Sequence, residues 1–177
     1  MPAPHFFIEP LDSKKHDRDS FDCGEAALNR FLKTRASREA KANLSVCFVL
    51  VEARKPTKIV GFYTLSNASI ELTEIPPALQ KKLRINSYES IGVTLLGRMA
   101  RSLDYQGKFI GHRLIASALT RSYQAIQEIG SVGMLLDPKN EKLESYCARF
   151  GFIKLPNGRM FMSMKAIGAF LDADQIS

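Results

Sequence analysis

The stretch that opens the longest predicted helix reads Gln106-Gly107-Lys108-Phe109-Ile110-Gly111. An apolar segment predicted to be a strand, Ile91 to Ala100, precedes it, and apolar residues recur with a helical period from Phe109 to Ile129. The first N–H groups of a helix have no intrahelical acceptor, and the helix dipole adds partial positive charge there. A pyrophosphate fits such a turn, and Lys108 and Arg113 would add charge. A plain surface turn is the alternative.

A second stretch, about forty residues later, reads Ser145-Tyr146-Cys147-Ala148-Arg149-Phe150-Gly151-Phe152. It predicts a short helix that ends at Gly151 and continues into a strand. Leu143, Tyr146, Cys147 and Phe150 follow helical spacing, so we expect Tyr146 to face the core. A packed aromatic residue with a bonded hydroxyl is one interpretation. The other is a proton donor, since a phenol ordinarily has a pKa of about 10. The predicted pyrophosphate-binding turn at Gln106 to Gly111 favours the interpretation as a proton donor.

Length and composition limit the class of protein. A chain of 177 residues predicts one domain, 1–177, with a substantial core. The net charge of +7 favours an anionic partner, which could be nucleic acid, a phosphate-rich cofactor or an acidic protein. Three cysteines without metal-ligand spacing and three scattered histidines predict a reduced, cytoplasmic chain without a metal site. The sequence lacks a long apolar run, so we expect neither a membrane helix nor a secretory signal.

The predicted elements follow one another along the chain as β-α-β-β-β-α-β-α-β, where the final β stands for two short strands, and this is a mixed α/β domain. We expect strands at 5–9, Val46–Val51, Lys58–Ser66, Ile91–Ala100, Val132–Leu136, Phe152–Leu155 and Met160–Met164. One helix is expected over 24–42, capped by Asp22 or Asp19. Another is expected to begin at Asp137-Pro138, with the aspartate as its cap. Residues 76–85 predict a short helix or loop, and the tail after Ala169 is either frayed or helical.

The two stretches resemble motifs of the GNAT superfamily of acetyl-CoA-dependent N-acetyltransferases. The cofactor loop of that family follows Gln/Arg-x-x-Gly-x-Gly/Ala, and Gln106 matches its first position and Gly111 its last. Leu95 to Ala100 looks like the family strand that splays from its neighbour and binds the pantetheine arm. The Tyr146 segment is similar to Phe-Tyr-x-x-Phe-Gly-Phe, with Ser145 in place of the first Phe. The resemblance implies a single-domain GNAT fold, whose central mixed, mostly antiparallel sheet is splayed at the acetyl-CoA site and flanked by helices.

The same resemblance implies the site residues. Tyr146 would be the general acid, and the residues implied to bind acetyl-CoA are Met99, Ala100, Arg101, Gln106, Gly107, Lys108, Phe109, Ile110, Gly111, His112 and Asn140. For Asn140, a helix-capping role is an equal alternative. Phe109 departs from the pattern, because it stands where the family has its first glycine. A positive φ there would cost roughly 1–2 kcal/mol, whereas a negative φ would bring the ring toward the pyrophosphate.

Within the superfamily the chain looks closest to toxins of bacterial toxin–antitoxin pairs. Three segments carry this likeness: Phe21-Asp22-Cys23-Gly24-Glu25-Ala26-Ala27-Leu28-Asn29-Arg30-Phe31-Leu32, Leu95 to Ala100, and the Tyr146 element. The resemblance implies acetylation of the α-amino group of an aminoacyl-tRNA, which blocks translation. It also implies a ribbon-helix-helix antitoxin and a homodimer. An ordinary α-amino group has a pKa of about 7.7–8.0, so direct attack on the thioester needs no strong base. An acyl-enzyme on Cys147 is the alternative chemistry.

A basic face is predicted on the helix over 24–42. On a helical wheel Arg30, Lys33, Arg38 and Lys41 lie opposite Leu28, Phe31, Leu32 and Ala36. This face either is solvated or contacts the tRNA backbone. Arg35 is expected to point inward, and Arg98 lies within an apolar strand, so each must pair with an internal acid or reach the substrate pocket. The candidate substrate-binding or tRNA-binding residues are Lys33, Arg35, Arg38, Lys41 and Arg98.

Two other functions fit the same motifs. One is a conventional GNAT that acetylates a small amine, a polyamine or a protein N-terminus. The other is a non-catalytic module that keeps the fold. Residues 67–90 contain Pro76-Pro77 and the basic run Lys81-Lys82-Leu83-Arg84. This segment could be a lid, an interface or a nucleic-acid contact.

Overall fold

The computed structural model describes residues 2–175 and confirms the mixed α/β class. The strands are β1 (Phe6–Pro10), β2 (Val46–Glu52), β3 (Lys55–Glu71), β4 (Ser90–Arg101), β5 (Gly133–Leu136), β6 (Ile153–Lys154) and β7 (Met160–Ser163). The helices are α1 (Ala26–Thr34), α2 (Ala36–Lys41), α3 (Pro77–Leu83), α4 (Ile110–Ala125), α5 (Glu141–Ala148) and α6 (Met164–Asp174). Short 3-10 turns cover Leu72–Glu74 and Leu103–Tyr105.

The strands form one mixed sheet in the order β1-β2-β3-β4-β5-β7-β6. β4 and β5 are parallel, whereas β1–β2, β2–β3, β5–β7 and β6–β7 are antiparallel. The pairing of β4 with β5 consists of Thr94–Met134 and Leu95–Leu135, and β4 then continues to Arg101. The predicted mixed, mostly antiparallel sheet is therefore confirmed.

The chain divides into two compact units, and both are discontinuous in sequence. The first comprises residues up to 66 together with 97–118, and the second comprises 67–96 together with the residues from 119 onward. β3, β4 and α4 each contribute residues to both units.

The core of the first unit is built on the apolar side of α1. Leu28, Phe31 and Leu32 are buried, as their helical spacing predicted. The ring of Phe62, on β3, lies 6.1 Å from that of Phe31 and 5.5 Å from that of Phe21, so aromatic contacts join helix and sheet.

The single helix expected over 24–42 is wrong in two respects. The chain bends at Arg35 (φ −114°, ψ −36°), which separates α1 from α2. Just before the bend, the Thr34 hydroxyl donates to the carbonyl of Arg30, a bond that often bends helices. The helix starts after Glu25, so neither Asp22 nor Asp19 caps it. Asp22 instead accepts from the backbone N–H of Gly24 and organises the preceding turn.

The core of the second unit surrounds β5, whose residues are all buried. Ile91 and Val93 of β4, Leu135 of β5 and Phe161 of β7 belong to one apolar cluster. Gly133 opposes Ser163 across the β5–β7 ladder. A β-carbon placed on Gly133 would lie 2.3 Å from the carbonyl oxygen of Met162 and 2.6 Å from the Phe161 ring, so only glycine fits there.

We therefore expect Gly133→Ala to destabilise the protein by about 2 kcal/mol, because overpacking forces backbone or ring to shift. For a chain of this size this corresponds to a melting temperature lower by roughly 4–8 °C, measurable by circular dichroism. Gly130→Ala is the matched control, since no atom lies within 4 Å of its added methyl group. Equal melting temperatures for the two variants would show that the β5–β7 ladder relaxes freely.

The expected start of the helix after β5 is also corrected. α5 begins at Glu141, and Asn140 is its cap, accepting at Oδ1 from the N–H of Leu143 at 2.8 Å. Asp137 instead accepts from Nε of Arg159 at 2.8 Å. Asparagine is as good a cap as aspartate, so the pattern alone favoured the wrong position. Gly151 has φ +110°, as expected for a residue that ends a helical segment.

The end of the described chain is helical. Ser163 caps α6 by accepting from the N–H of Ala166 at 3.2 Å, and Ile167 is fully buried. Within residues 2–175 no helix is both long enough and apolar enough to cross a membrane.

Candidate active site

The end of β4, in the first unit, is held firmly against β3. The N–H of Arg98 donates to the Thr64 hydroxyl at 3.0 Å, and the N–H of Ser102 donates to the Val60 carbonyl at 2.8 Å. A β-carbon on Gly61 would lie 3.0 Å from the Ala100 carbonyl oxygen, so a glycine permits this close approach. Met99 is half-buried and Arg101 is exposed. The predicted cofactor-binding strand therefore has a fixed backbone.

The loop that follows contains two residues in the left-handed region. Gly107 has φ +73°, and no atom lies within 4 Å of a β-carbon placed on it. Phe109 has φ +54°, and 81% of its side chain is exposed. Of the two alternatives raised by the sequence, the positive φ is therefore the one observed. The ring extends into solvent, and the strain of about 1–2 kcal/mol stays in the backbone.

Helix α4 starts directly after this loop. The N–H of Arg113 donates to the carbonyl of Phe109 at 3.1 Å, which closes the first turn. Ile110, Leu114 and Ile115 are fully buried and fix the helix in the first unit, while Gly111 and His112 are half-buried. The start of the helix is thus rigid, and its partial positive charge lies next to a basic loop.

Tyr105 supports the lysine of this loop, a contact that sequence reasoning missed. Its buried ring lies 5.2 Å from Nζ of Lys108 and 5.5 Å from Nζ of Lys58. The Tyr105 hydroxyl donates to Glu52 at 3.2 Å; burial and then the Glu52 carboxylate raise the pKa of this phenol, which keeps it protonated. Lys58 is held by Asp104 at 2.8 Å, and this bond raises its pKa. Tyr105 directly precedes the loop in sequence, so its role as a support was predictable, whereas the contact with Lys58 joins distant parts of the chain.

The first unit thus contains all of the predicted cofactor-binding residues except Asn140. Their chemistry fits a diphosphate: Gly107 has open space where a side chain would stand, Lys108 lies over an aromatic ring, and a helix begins here. Asn140 belongs to the second unit, where its side-chain oxygen is used as a helix cap.

Arg98 and Arg35 share one carboxylate, that of Glu39. The Arg98 guanidinium stacks on Phe31, 4.0 Å from the ring centroid, and lies 3.9 Å from Oε2 of Glu39. Arg35 pairs with Oε1 of the same residue at 2.8 Å, and Ser45 donates to Oε2 at 3.1 Å. The expectation that Arg35 points inward is wrong, since half of its side chain is exposed. The bend between α1 and α2 falls at this residue and turns it outward.

The four cations of the predicted basic face are divided between two helices, with Arg30 and Lys33 on α1 and Arg38 and Lys41 on α2. Arg30, Arg38 and Lys41 are exposed and Lys33 is half-buried. The carbonyl of Lys33 accepts from Arg18, which ties the end of α1 to the preceding loop at 2.9 Å. Three of these four cations are therefore open to solvent, and whether they act together on tRNA stays a prediction.

Tyr146 lies on α5 in the second unit and is half-buried. Its ring packs edge-on against Phe150, with centroids 5.3 Å apart, and the Arg149 guanidinium lies 5.1 Å from its centroid. Phe150 in turn packs against Phe170 of α6 at 5.5 Å. The helical spacing correctly predicted that Cys147 and Phe150 are buried. The Tyr146 ring thus contacts both Phe150 and Arg149 and lies at the edge of the core of the second unit.

Cys147 is a poor nucleophile. It is buried, and burial raises the pKa of its thiol to about 11, so almost none is thiolate at neutral pH. This argues against the acyl-cysteine alternative. Among residues 2–175 no group of three or more histidine, cysteine, aspartate or glutamate side chains could hold a metal ion.

Comparison with known proteins defines the class. No protein-family model matches the sequence. A probable toxin of Sinorhizobium fredii, TacT, is 28% identical over 173 residues, which cover 93% of this chain and 94% of that protein. A tRNA-acetylating toxin of Mycobacterium tuberculosis is 29% identical over 140 residues, covering 79% of this chain and 80% of that protein.

Solved structures agree with these relatives. A KacT variant with a tyrosine replaced by phenylalanine superimposes with a TM-score of 0.83 at 30% identity, covering 93% of this chain and 98% of that one. AtaT complexed with acetyl-methionyl-tRNAfMet gives a TM-score of 0.85 at 28% identity, with the same coverage. The chain belongs to the GNAT-fold acetyltransferase toxins.

We expect Phe109→Gly to tighten acetyl-CoA binding about threefold to fivefold, because it restores the glycine of the loop pattern, and a residue without a side chain lets the backbone approach a ligand more closely. Isothermal titration measures the affinity. Phe109→Ala is the matched control, since it removes the ring but keeps a β-carbon at φ +54°. Tighter acetyl-CoA binding by both variants would show that the Phe109 ring weakens binding. Tighter binding by Phe109→Gly alone would show that the β-carbon at this backbone position weakens it. Equal or weaker affinity in both would show that phenylalanine is accommodated without cost.

Proposed function

We propose that this toxin transfers an acetyl group from acetyl-CoA to the α-amino group of an aminoacyl-tRNA and so blocks translation. The observation that carries the proposal is the likeness to AtaT complexed with acetyl-methionyl-tRNAfMet, over 93% of this chain. The tRNA-acetylating toxin of Mycobacterium tuberculosis supports it. A blocked α-amine cannot attack the next ester on the ribosome, so acetylation stops peptide synthesis.

The acetyl-CoA diphosphate is proposed to bind the loop Gln106–Phe109 and the first turn of α4, Ile110 to His112. Lys108, braced on Tyr105, would neutralise phosphate charge. The backbone from Met99 to Arg101 would hold the pantetheine arm and polarise the thioester carbonyl. A complex of AtaT and its antitoxin AtaR with acetyl-CoA, which is 29% identical to this chain, supports this assignment. The side-chain oxygen of Asn140 already accepts the hydrogen bond that caps α5, so only its amide nitrogen is left to bind the cofactor.

The chemistry requires little from the protein beyond positioning and one proton. Acetyl-CoA supplies the acetyl group as an activated thioester. The neutral α-amine attacks the carbonyl carbon, the new N–C bond forms as the C–S bond breaks, and water takes the surplus proton of the amine. Tyr146 is proposed to protonate the departing sulfur. Solved phenylalanine variants of a tyrosine in both KacT and AtaT support a role for a tyrosine in this family.

The tRNA is proposed to contact the basic face of α1 and α2 through Lys33, Arg38 and Lys41. Arg35 and Arg98 would add two further cations, held by Glu39 at the edge of that face. Phosphate contacts fix the register of an RNA but carry no sequence information, so these residues would not by themselves select the amino acid.

The proposed partners follow the toxin family. Solved structures include AtaT bound to the C-terminus of the antitoxin AtaR and a KacTA–DNA complex. We propose that this chain likewise pairs with an antitoxin of ribbon-helix-helix type. We also propose that it acts as a homodimer in the cytoplasm, and that residues 1–177 serve as one N-acetyltransferase domain.

The proposal is tested by incubating the pure protein with radiolabelled acetyl-CoA and bulk aminoacyl-tRNA, and then locating the label. Deacylated tRNA and a mixture of free amines and polyamines are the controls. Label on the amino acid attached to tRNA supports the proposal. Label on free amines alone would identify a conventional GNAT, and the absence of acetyl-CoA binding would identify a non-catalytic module.

A further inference from the structure

Three cations and a tyrosine lie exposed on the segment between β3 and β4, in the second unit. We call Lys81, Lys82, Arg84 and Tyr88 the basic turn. Tyr88 is 60% exposed, which is high for a large aromatic ring. Within residues 2–175 none of the three cations forms a salt bridge, and Glu89 is the only acid between Ile75 and Ser90. The positive charge here is therefore not neutralised within the described chain.

The backbone of the basic turn is fixed, which argues against a mobile lid. Nε2 of Gln80 donates to the carbonyls of Leu72 at 2.9 Å and Ile75 at 2.7 Å. The N–H of Ile85 donates to Gln80, and that of Tyr88 donates to Ile85, both at 3.1 Å. Ile75 and Ile85 are buried in the core of the second unit. The cations are therefore presented from an ordered support.

Arg84 adopts a conformation that L side chains rarely take. Its φ is +58° at the end of α3, a position where glycine is usual. Its N–H donates toward the carbonyls of Gln80 and Lys81, but its side chain is exposed and forms no salt bridge within the described chain. A strained, exposed arginine without an internal counter-charge is well suited to an external anion.

We propose that the basic turn binds RNA, with its cations on phosphates and the Tyr88 ring stacked on an unpaired base. Positive charge alone would also suit an acidic peptide. The exposed ring of Tyr88, four residues after Arg84 in the chain, favours RNA, since aromatic side chains combined with positive charge are the usual way to hold unpaired nucleotides. The inference rests on the proposed function, which makes tRNA the substrate, and adds a contact that lies outside α1 and α2.

The test is the affinity of each variant for fluorescently labelled bulk tRNA between about 50 and 300 mM salt. The variants are Lys81→Gln/Lys82→Gln/Arg84→Gln, Tyr88→Ala and Tyr88→Phe. The matched control removes equal charge from exposed residues elsewhere: Lys14→Gln/Arg54→Gln/Lys55→Gln. Melting temperatures confirm that each variant is folded.

We expect the triple variant of the basic turn to flatten the slope of log affinity against log salt by roughly two to three, and the control to flatten it by less than one. Tyr88→Ala should weaken binding about fivefold to 100-fold, and Tyr88→Phe should stay within about twofold, because stacking needs the ring and not the hydroxyl.

Unchanged affinity in both the triple variant and Tyr88→Ala would overturn the proposal. So would variants that bind tRNA normally but lose binding to a polyglutamate peptide, which would assign the surface to an acidic protein. Acetyl transfer by the wild-type protein is measured in parallel. Transfer without any effect of the basic turn would overturn this inference alone, whereas no transfer to charged tRNA would overturn the proposed function.

Discussion

Tyr146→Phe is expected to lower kcat for acetyl transfer to aminoacyl-tRNA by about 100-fold, and by no less than about tenfold. The physical reason is the loss of proton donation to the departing thiolate, for which general acids contribute roughly 10²–10⁴-fold. The affinity for acetyl-CoA should stay within about twofold, because phenylalanine keeps the contacts of the ring with Phe150 and Arg149. Single-turnover kinetics and isothermal titration measure the two quantities separately.

Tyr123→Phe is the matched control for this substitution. It removes one phenolic hydroxyl from an exposed position on α4, in the same unit, and should leave kcat unchanged. A kcat for Tyr146→Phe equal to that of the control would remove Tyr146 from the chemistry. The sulfur would then have to be protonated by water or by another group.

Removing the charge of Lys33, Arg38 and Lys41 together is expected to weaken tRNA binding by about 100-fold near physiological salt. Each phosphate contact releases counterions, so the slope of log affinity against log salt should flatten by about three. Glutamine substitutions keep most of the stem of each side chain and should leave the core beneath α1 intact, because Leu28, Phe31 and Leu32 are untouched.

The control is again Lys14→Gln/Arg54→Gln/Lys55→Gln, which changes net charge equally. Similar losses in both variants would mean that the chain attracts tRNA through its overall charge and that the face on α1 and α2 has no special role. Binding that survives at every salt concentration would show that this face is ordinary surface.

Local patterns predicted the parts of the structure that depend on neighbours in sequence. The helical spacing of Leu28, Phe31 and Leu32 identified the buried side of α1, and the apolar run at Val132–Leu136 identified the buried strand β5. The departure of Phe109 from a glycine pattern pointed to the position with φ +54°. The buried helix side, the buried strand and the positive φ each depend on a few residues that are close together in sequence.

Features that depend on distant residues or small angles were not predictable. The bend between α1 and α2 leaves the Arg35 side chain exposed, whereas a straight helix would direct it toward the core. No pattern in the sequence distinguishes the bent helix from a straight one. The sharing of Glu39 between Arg35 and Arg98, and the support of Lys108 by Tyr105, require tertiary contacts. The choice between Asp137 and Asn140 as the cap of α5 was a near tie in propensity that the local geometry decided.

The interleaving of the two compact units bears on when the toxin becomes harmful during its own synthesis. The first unit is incomplete until the ribosome has made residues 97–118, and the second is incomplete until it has made the residues from 119 onward. Premature termination anywhere before α4 therefore leaves neither half whole, and we expect such fragments to be inert. We therefore expect toxicity only from chains that extend beyond α4.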